Sequence, residues 1–286
     1  MANLKGLTYE KQIRDMNFKL FSLGNKKGKD NLTHSQALLI KREMYIKDFA
    51  KYLEANNIEG KINQLLTESN LNSFLEERLS SLAISTAENY LSGFNSLIRA
   101  FNEVNLNNNV PQNYFQDKWK DIKASKNSTN KSSKRGLESD SIINKLYNCR
   151  YESGVIGQIM FQNGYRISEA INIVKNPQRY ISKNDKGDYI ISGVVGKGGK
   201  IYNPKILDNN LYINVKEAKN IPAKSTFHND LKSIDKNLRA HDFRYSFAKN
   251  LYKKISLEIS HEKALKIVSN ELNHNRLEIS LYYLSK

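Results

Sequence analysis

The spacing of apolar residues predicts helices across the first third of the chain. Between residues 32 and 56 the apolar side chains recur every three or four positions, and shorter runs with the same spacing cover 66–79 and 84–104. Such spacing is typical of a helix that buries one face. We therefore expect a small helical domain over residues 31–117, preceded by a basic N-terminal extension, residues 1–30, that contains one short amphipathic helix.

The pattern changes in the second half of the chain. An apolar stretch over residues 153–174 predicts a buried helix that is interrupted near Gly164 and followed by a new helix start. Two β-branched runs around "GKGGK" predict a β-hairpin over residues 188–207, and helical spacing returns from about residue 225 to the end. The expected fold is therefore mainly α with a small antiparallel β-sheet, and its second, α+β domain covers residues 137–286.

A stretch rich in Ser, Asn and Lys separates these two domains. Residues 118–136 contain seven basic residues and a single acidic residue, Asp121. This composition is typical of an interdomain linker, whose charge either stays solvated or lies along a phosphate backbone. The linker residues that we name as candidates for DNA contact are Lys118, Lys120, Lys131, Lys134 and Arg135.

The overall charge favours a polyanionic partner. The 286 residues include 45 Lys and Arg against 29 Asp and Glu, for a formal net charge of +16. An excess of this size attracts nucleic acid, although a basic protein with no such partner is the simpler alternative. Cys149 is the only cysteine, which excludes an intramolecular disulfide and a cysteine-rich zinc site. The apolar runs are too short for a signal peptide or a membrane span, so we expect a cytoplasmic protein without a membrane partner.

Four short segments carry charged or phenolic residues that a buried apolar pattern does not require. Each has an ordinary explanation: a surface ion pair, a basic hairpin turn, a lone helix-start histidine, and a packing anchor near the end of the sequence. The residues are Arg166 and Glu169 in "GYRISEA", Lys197 in "GKGGK", His241 and Arg244 in "HDFRYSF", and His274 and Tyr283 in "LNHNRLEISLYY". His241 and Arg244 are three residues apart and so share a helix face, which suits the binding of a phosphate.

Taken together, these residue types suit attack on a phosphodiester. Arginine and histidine can stabilise the transition state where other phosphoryl-transfer sites use metal ions. A tyrosine nucleophile forms a phosphoester intermediate, so that strands can be rejoined without ATP. The sequence has no convincing carboxylate cluster for Mg²⁺, and we expect neither a metal nor another cofactor.

The order of the four segments resembles that of the tyrosine recombinases, the lambda-integrase family that includes the Xer and Cre relatives. The resemblance covers residues 137–286, while "STAENYLSGFNSLIRAF" in the first domain is similar to the core-binding domain of the family. It implies a helical core-binding domain and a catalytic domain that close around duplex DNA as a C-shaped clamp.

The resemblance also implies a role for each motif residue. Tyr283 would be the nucleophile that forms a 3′-phosphotyrosyl link, and Tyr282 lies one residue out of that register. Lys197 would protonate the leaving 5′-oxygen, and Glu169 would support the site. The residues that would bind the scissile phosphate are Arg166, His241, Arg244 and His274.

The implied activity is site-specific DNA recombination of the integrase or invertase type, as used by phages and mobile elements. The implied partners are double-stranded DNA with a specific recombination site and further copies of the chain, forming a tetramer on DNA in a nucleoid-associated location. Two alternatives remain: a type IB topoisomerase-like enzyme and an inactive DNA-binding relative. The DNA sequence, the direction of recombination and any need for accessory proteins stay open.

Two departures from the family pattern bear on these expectations. Asn273 stands where a glycine usually precedes the second histidine, a change that we expect the connection between the helices to tolerate. Only three residues follow Tyr283, so the way in which subunits contact each other, and with it the expected tetramer, stays open.

Overall fold

A computed structural model of the chain describes residues 8–23, 30–80, 82–106, 110, 114–125, 135–137, 141–274 and 277–285, without the side chains of 116 and 122–125. The chain divides into two compact units, Met1–Asn130 and Lys131–Lys286. Within the described ranges, no helix is both long enough and apolar enough to cross a membrane.

The first unit is entirely helical over its described elements. Its helices are α1 (Tyr9–Lys19), α2 (Gln36–Ala55), α3 (Ile62–Leu65), α4 (Glu68–Ser80), α5 (Ile84–Glu103) and α6 (Tyr114–Ser125). Ser35 caps α2 by accepting a hydrogen bond from the Leu38 amide, which satisfies one of the free donors at the helix start. The helices that the spacing of apolar residues predicts in this region are confirmed.

Aromatic side chains fill the core of this unit. Phe94 from α5 packs against Phe49 from α2, Phe74 from α4 and Phe115 from α6, with ring centroids 5.7 to 6.4 Å apart. Helix α1 buries Ile13 in the same core, so the structure groups the N-terminal segment with the helices that follow it.

Helix α6 occupies the beginning of the segment predicted as a linker. Residues 118–125 are helical, because Tyr114 and Phe115 anchor the first turn of α6 in the core and Trp119 packs against that core one turn later. Composition alone indicates a loop here, and burial of this aromatic face overrides it. Residues 126–134 lie outside the described part of the chain.

The second unit combines nine described helices with a three-stranded sheet. The helices are α7 (Ser141–Cys149), α8 (Tyr151–Asn163), α9 (Ile167–Lys175), α10 (Pro177–Tyr180), α11 (Asn209–Glu217), α12 (Lys224–Ile234), α13 (Ala240–Ile255), α14 (His261–Glu271) and α15 (Leu277–Ser285). The antiparallel strands are β1 (Ile181–Lys183), β2 (Tyr189–Ile191) and β3 (Lys205–Ile206), in the order β1-β2-β3. The predicted class, mainly α with a small antiparallel sheet, is confirmed.

Helix α8 lies at the centre of this unit and ends where the sequence predicts an interruption. Gly164 terminates it in the left-handed conformation, with φ of +68°. A Cβ atom at this position would lie 2.4 Å from the Phe247 ring. The positive φ and the close approach of this ring both require glycine here. Helix α9 begins three residues later at Ile167, so Arg166 lies close to the end of α8.

The predicted hairpin is present as a long, partly irregular connection between β2 and β3. An isolated bridge between Val195 and Ile201 continues the pairing beyond the strands. A short 3₁₀ turn, Lys197–Gly199, forms the tip, and Gly198 and Gly199 both have positive φ there.

Candidate active site

Arg244 is the most deeply enclosed charged residue of the site, with 0% of its surface exposed. Its Nη1 donates to the carbonyl of Gly164 at the end of α8, and its Nη2 donates to the carbonyl of Leu272 after α14. A buried guanidinium must be hydrogen-bonded, and helix C-termini supply unpaired, partially negative carbonyls for this purpose. Arg244 therefore ties two helix ends to α13, rather than facing solvent at the helix start.

Arg166 and Glu169 form the ion pair that their spacing predicts. Arg166 is the N-cap residue of α9, and its amide donates to Oε2 of Glu169 over 2.7 Å. Its Nη1 donates to Oε1 of the same carboxylate over 3.0 Å, while 27% of the side chain stays exposed. One carboxylate thus orients the Arg166 backbone and guanidinium together.

Tyr202 joins the two arginines. Its hydroxyl oxygen accepts hydrogen bonds from Nη1 of Arg166 at 3.0 Å and from Nη1 of Arg244 at 3.1 Å. It donates in turn to Oε2 of Glu169 at 2.8 Å. The sequence does not predict Tyr202 as a site residue, because no pattern distinguishes a tyrosine five residues after Lys197 in a hairpin from a core residue.

His274 lies against Arg244. Its Nε2 is 3.1 Å from Nη2 of Arg244, and since a guanidinium only donates, this nitrogen accepts. Burial first, and then the positive charge of Arg244, lowers the pKa of His274 to about 3. The imidazole is therefore neutral near pH 7 in the free protein.

The unusual residue before this histidine has a conformational explanation. Asn273 has φ of +55°, in the left-handed region that glycine adopts most readily and asparagine tolerates. Its side-chain amide donates to the carbonyl of Lys200 over 2.9 Å. The asparagine thus adopts a backbone conformation that glycine adopts most readily, and its side chain adds a link to the hairpin.

Tyr283 from α15 points its hydroxyl at His241 from α13. The phenol oxygen is 2.5 Å from Nε2 of His241, and the Tyr283 side chain is held by stacking on Tyr245 with ring centroids 4.4 Å apart. The guanidinium carbon of Arg244 is 5.9 Å from the centroid of the Tyr283 ring. By contrast, 53% of Tyr282 is exposed, while Tyr283 is 5% exposed.

His241 is neutral near pH 7 beside this phenol. Although the residue remains partly open to solvent, desolvation of its ring is the main reason that its pKa falls to about 4. Arg244 and Arg166 add to the effect, because nearby positive charge disfavours the imidazolium.

The hairpin lysines are placed differently from each other. Lys197 is exposed at the 3₁₀ turn, and within the described part of the chain no hydrogen bond or ion pair of the site involves it. Lys200 lies closer to the site and donates from Nζ to the carbonyl of His274 over 3.3 Å. The structure therefore brings Arg166, Glu169, His241, Arg244, His274 and Tyr283 together, but not Lys197.

The described residues among the predicted DNA contacts are paired with acids of their own unit. Lys118 contacts Glu76 at 3.0 Å, and Lys120 contacts Asp117 at 2.9 Å. Lys131 and Lys134 lie outside the described residues.

Arg135 has a different environment from the lysines. It contacts Asp242 at 2.9 Å, and its guanidinium carbon lies 5.7 Å from the ring centroid of Tyr245, the residue on which Tyr283 stacks. These contacts attach the end of the predicted linker to α13.

Two guanidinium groups, two neutral imidazoles and a phenol thus converge in the second unit. Such a set can bind a tetrahedral oxyanion and supply both a nucleophile and a base. Among the described residues, no group of three or more His, Cys, Asp or Glu is arranged to hold a metal ion.

Comparison with known proteins identifies the fold. No protein-family model and no curated protein matches the chain. The structure is similar to a crystal structure of XerH site-specific recombinase bound to a palindromic difH substrate in a post-cleavage complex, with a TM-score of 0.62, 18% sequence identity, and coverage of 99% of this chain and 94% of that chain. It is also similar to a pre-cleavage complex of XerH with difH substrate, with a TM-score of 0.59, 19% identity, and coverage of 98% and 94%. The chain has the tyrosine recombinase fold.

Proposed function

We propose that this protein is a site-specific DNA recombinase that cleaves and rejoins DNA through a tyrosine nucleophile. The observation that carries the proposal is the contact between the Tyr283 hydroxyl and Nε2 of His241, beside the Arg244 guanidinium. A buried phenol that faces a neutral imidazole within a cluster of arginines has both the base and the anion-binding groups that attack on a phosphodiester needs.

The cleavage step follows from these positions. The Tyr283 oxygen attacks the scissile phosphorus while its proton passes to Nε2 of His241. The bond from phosphorus to the 5′-oxygen breaks, and the leaving oxygen takes a proton from a general acid, the role that we propose for Lys197. The product is a 3′-phosphotyrosyl link, and attack by a 5′-hydroxyl reverses the step without any other energy source.

The two arginines stabilise the charge that develops on the phosphate during this step. Arg166 and Arg244 are both held by the Tyr202 hydroxyl through Nη1, and among the described residues Nε of Arg244 has no hydrogen-bond partner, which leaves this N–H for a phosphate oxygen. A bound phosphate anion would also raise the pKa of His274 again, because it offsets the arginine charge that lowers it. Once protonated, Nε2 of His274 would give up its contact with Arg244 and donate to the phosphate in the DNA complex.

Charge and fold support double-stranded DNA as the substrate. The net charge of +16 favours binding to a polyanion, and proteins with this fold include XerH bound to its difH substrate. We further propose that the DNA contains a specific recombination site, that a tetramer of the chain assembles on it, and that the protein is cytoplasmic.

A covalent trapping experiment tests the proposal. The bound sequence is first selected from random duplex DNA and footprinted, and a nicked version of that site then serves as a suicide substrate. We expect the wild-type protein to form a covalent adduct, Tyr283→Phe to form none, and Tyr282→Phe, the matched control one residue away, to form it normally.

The same assay separates the competing functions. An adduct that persists in Tyr283→Phe but disappears in Tyr282→Phe overturns the choice of nucleophile. Absence of any adduct with the wild-type protein on its selected site would favour a DNA-binding relative without catalysis. Relaxation of supercoiled DNA without strand exchange between two sites would favour the topoisomerase-like activity.

A further inference from the structure

Tyr202 has a hydrogen-bonding pattern that leaves none of its hydroxyl capacity unused. A phenol has one proton to donate and can accept two hydrogen bonds. Here it accepts one from each of Arg166 and Arg244 and donates its proton to Glu169. The side chain is almost completely buried, so water does not compete for these contacts.

The Tyr202 hydroxyl lies between two positively charged groups that repel each other. Two guanidinium groups that bind one phosphate repel each other before the phosphate arrives, and the repulsion is strong where water is scarce. Glu169 contacts Arg166 directly, but within the described contacts it reaches Arg244 only through Tyr202. Because both Nη1 atoms lie one hydrogen bond from the same oxygen, they are at most about 6 Å apart.

We propose that Tyr202 is a positioning residue that holds Arg166 and Arg244 at the spacing needed for one phosphate and transmits the charge of Glu169 to the second arginine. The inference rests on the proposed cleavage activity and adds to it a residue that touches neither phosphate nor nucleophile. Substitution of Tyr202 should change the rate of the chemical step and not the affinity for DNA, because the rest of the protein surface that binds DNA is unchanged.

The neighbouring Tyr165 provides a matched control. Its ring centroid is 4.9 Å from that of Tyr202, it is equally buried, and within the described residues its hydroxyl has no hydrogen-bond partner. Tyr165→Phe and Tyr202→Phe therefore remove the same atom from adjacent buried rings, but only the second removes contacts to the arginines. Removal of an unpaired buried hydroxyl is neutral or stabilising.

The test uses the full-length protein and the suicide substrate described above. At saturating protein, we expect Tyr202→Phe to slow covalent adduct formation by about 10- to 100-fold, since small displacements of positioning groups have effects of this size. We expect its DNA dissociation constant to change by less than about twofold, since phosphate contacts elsewhere dominate affinity. Tyr165→Phe should match the wild type in both measurements.

A double substitution distinguishes positioning from a general loss of stability. If Tyr202 acts through Glu169, then Glu169→Gln and Tyr202→Phe should slow the reaction together by little more than the larger single effect. All rates are measured below the thermal unfolding transition of the least stable variant. An unchanged rate in Tyr202→Phe, equal slowing in Tyr165→Phe, or additive effects with Glu169→Gln would overturn the inference. Failure of the wild-type protein to form any adduct would instead overturn the proposed function.

Discussion

The hydroxyl of Tyr283 and Nε2 of His241 lie 2.5 Å apart, although they come from α15 and α13 and are separated by 42 residues in sequence. Stacking on Tyr245 fixes the phenol ring, and the start of α13 fixes the imidazole. Because that imidazole is neutral, one of its ring nitrogens carries a lone pair, and in the proposed cleavage step this nitrogen is Nε2, which accepts the phenol proton.

The pH dependence of cleavage should reflect the lowered pKa of His241. The histidine accepts a proton only when neutral, so activity rises with pH through its pKa, which is about 4 in the free protein. At limiting DNA, where the free protein's pKa governs the rate, we expect adduct formation to stay nearly constant from pH 7.5 to about 5.5. An ordinary histidine with a pKa near 6.5 would already have lost most of its activity at pH 5.5.

Substitution of His241 tests directly whether its imidazole is the base. His241→Gln should slow adduct formation by about 100-fold or more, the usual contribution of a general base. His228→Gln, which alters an imidazole on α12 outside the site, is the control and should have no effect. A rate for His241→Gln within threefold of the wild type would show that another group takes the phenol proton.

Arg244 and Arg166 should differ in their contribution to stability, although both are proposed to bind the same phosphate. Arg244→Ala leaves the carbonyls of Gly164 and Leu272 buried without their donor, and we expect it to lower the free energy of unfolding by about 2–4 kcal/mol. Arg166→Ala should cost about 1 kcal/mol, because its side chain is partly exposed.

Urea unfolding of the purified variants checks this difference. Arg150→Ala, which breaks a partly exposed ion pair with Asp230, is the control and should cost about 1 kcal/mol. Equal losses for Arg244→Ala and Arg166→Ala would contradict the role of Arg244 as a tie between two helix ends. Both variants should abolish adduct formation under conditions where they remain folded.

The two hairpin lysines can be distinguished by the leaving group of the substrate. We expect Lys197→Ala to slow cleavage of an ordinary site by about 100-fold, because Lys197 is the proposed general acid and its exposed side chain is not held by a contact within the described site. Replacing the leaving 5′-oxygen by sulfur should restore the rate, since a thiolate leaves without protonation. Lys200→Ala, which removes a contact to the His274 carbonyl, should have a smaller effect that sulfur does not correct. Sulfur rescue of Lys200→Ala alone would assign the proton donor to Lys200.

The salt dependence of DNA binding should separate the linker lysines from Arg135. Each lost phosphate contact reduces the slope of log K against log salt by about 0.9, so Lys131→Gln with Lys134→Gln should reduce it by up to about 1.8. Arg135→Gln should leave the slope unchanged but slow cleavage, because Arg135 contacts Asp242 and also Tyr245, on which the proposed nucleophile stacks. A slope reduced by Arg135→Gln as much as by one lysine would return Arg135 to the DNA-binding surface.

Local sequence patterns are sufficient to predict most of the secondary structure. Helix periodicity and the positions of Gly164 and the "GKGGK" turn depend on residues close to each other in the chain, and the structure has the predicted elements there. The prediction is less successful at α6, where composition indicates a linker and three aromatic residues instead bury one helix face. That burial depends on the core formed by α2, α4 and α5, which no local window contains.

Sequence patterns likewise predict one part of the candidate site, and the tertiary structure decides the other. The motifs in the sequence predict which residues belong to the site: the two arginines, the two histidines, Glu169 and Tyr283. Only the tertiary structure decides that Arg244 is buried between the ends of α8 and α14, that Lys197 remains outside the site, and that Tyr202 joins the arginines. These contacts join residues 28 to 80 positions apart and depend on how helices pack, because a hydrogen bond requires positions within a fraction of an ångström that no spacing along the chain specifies.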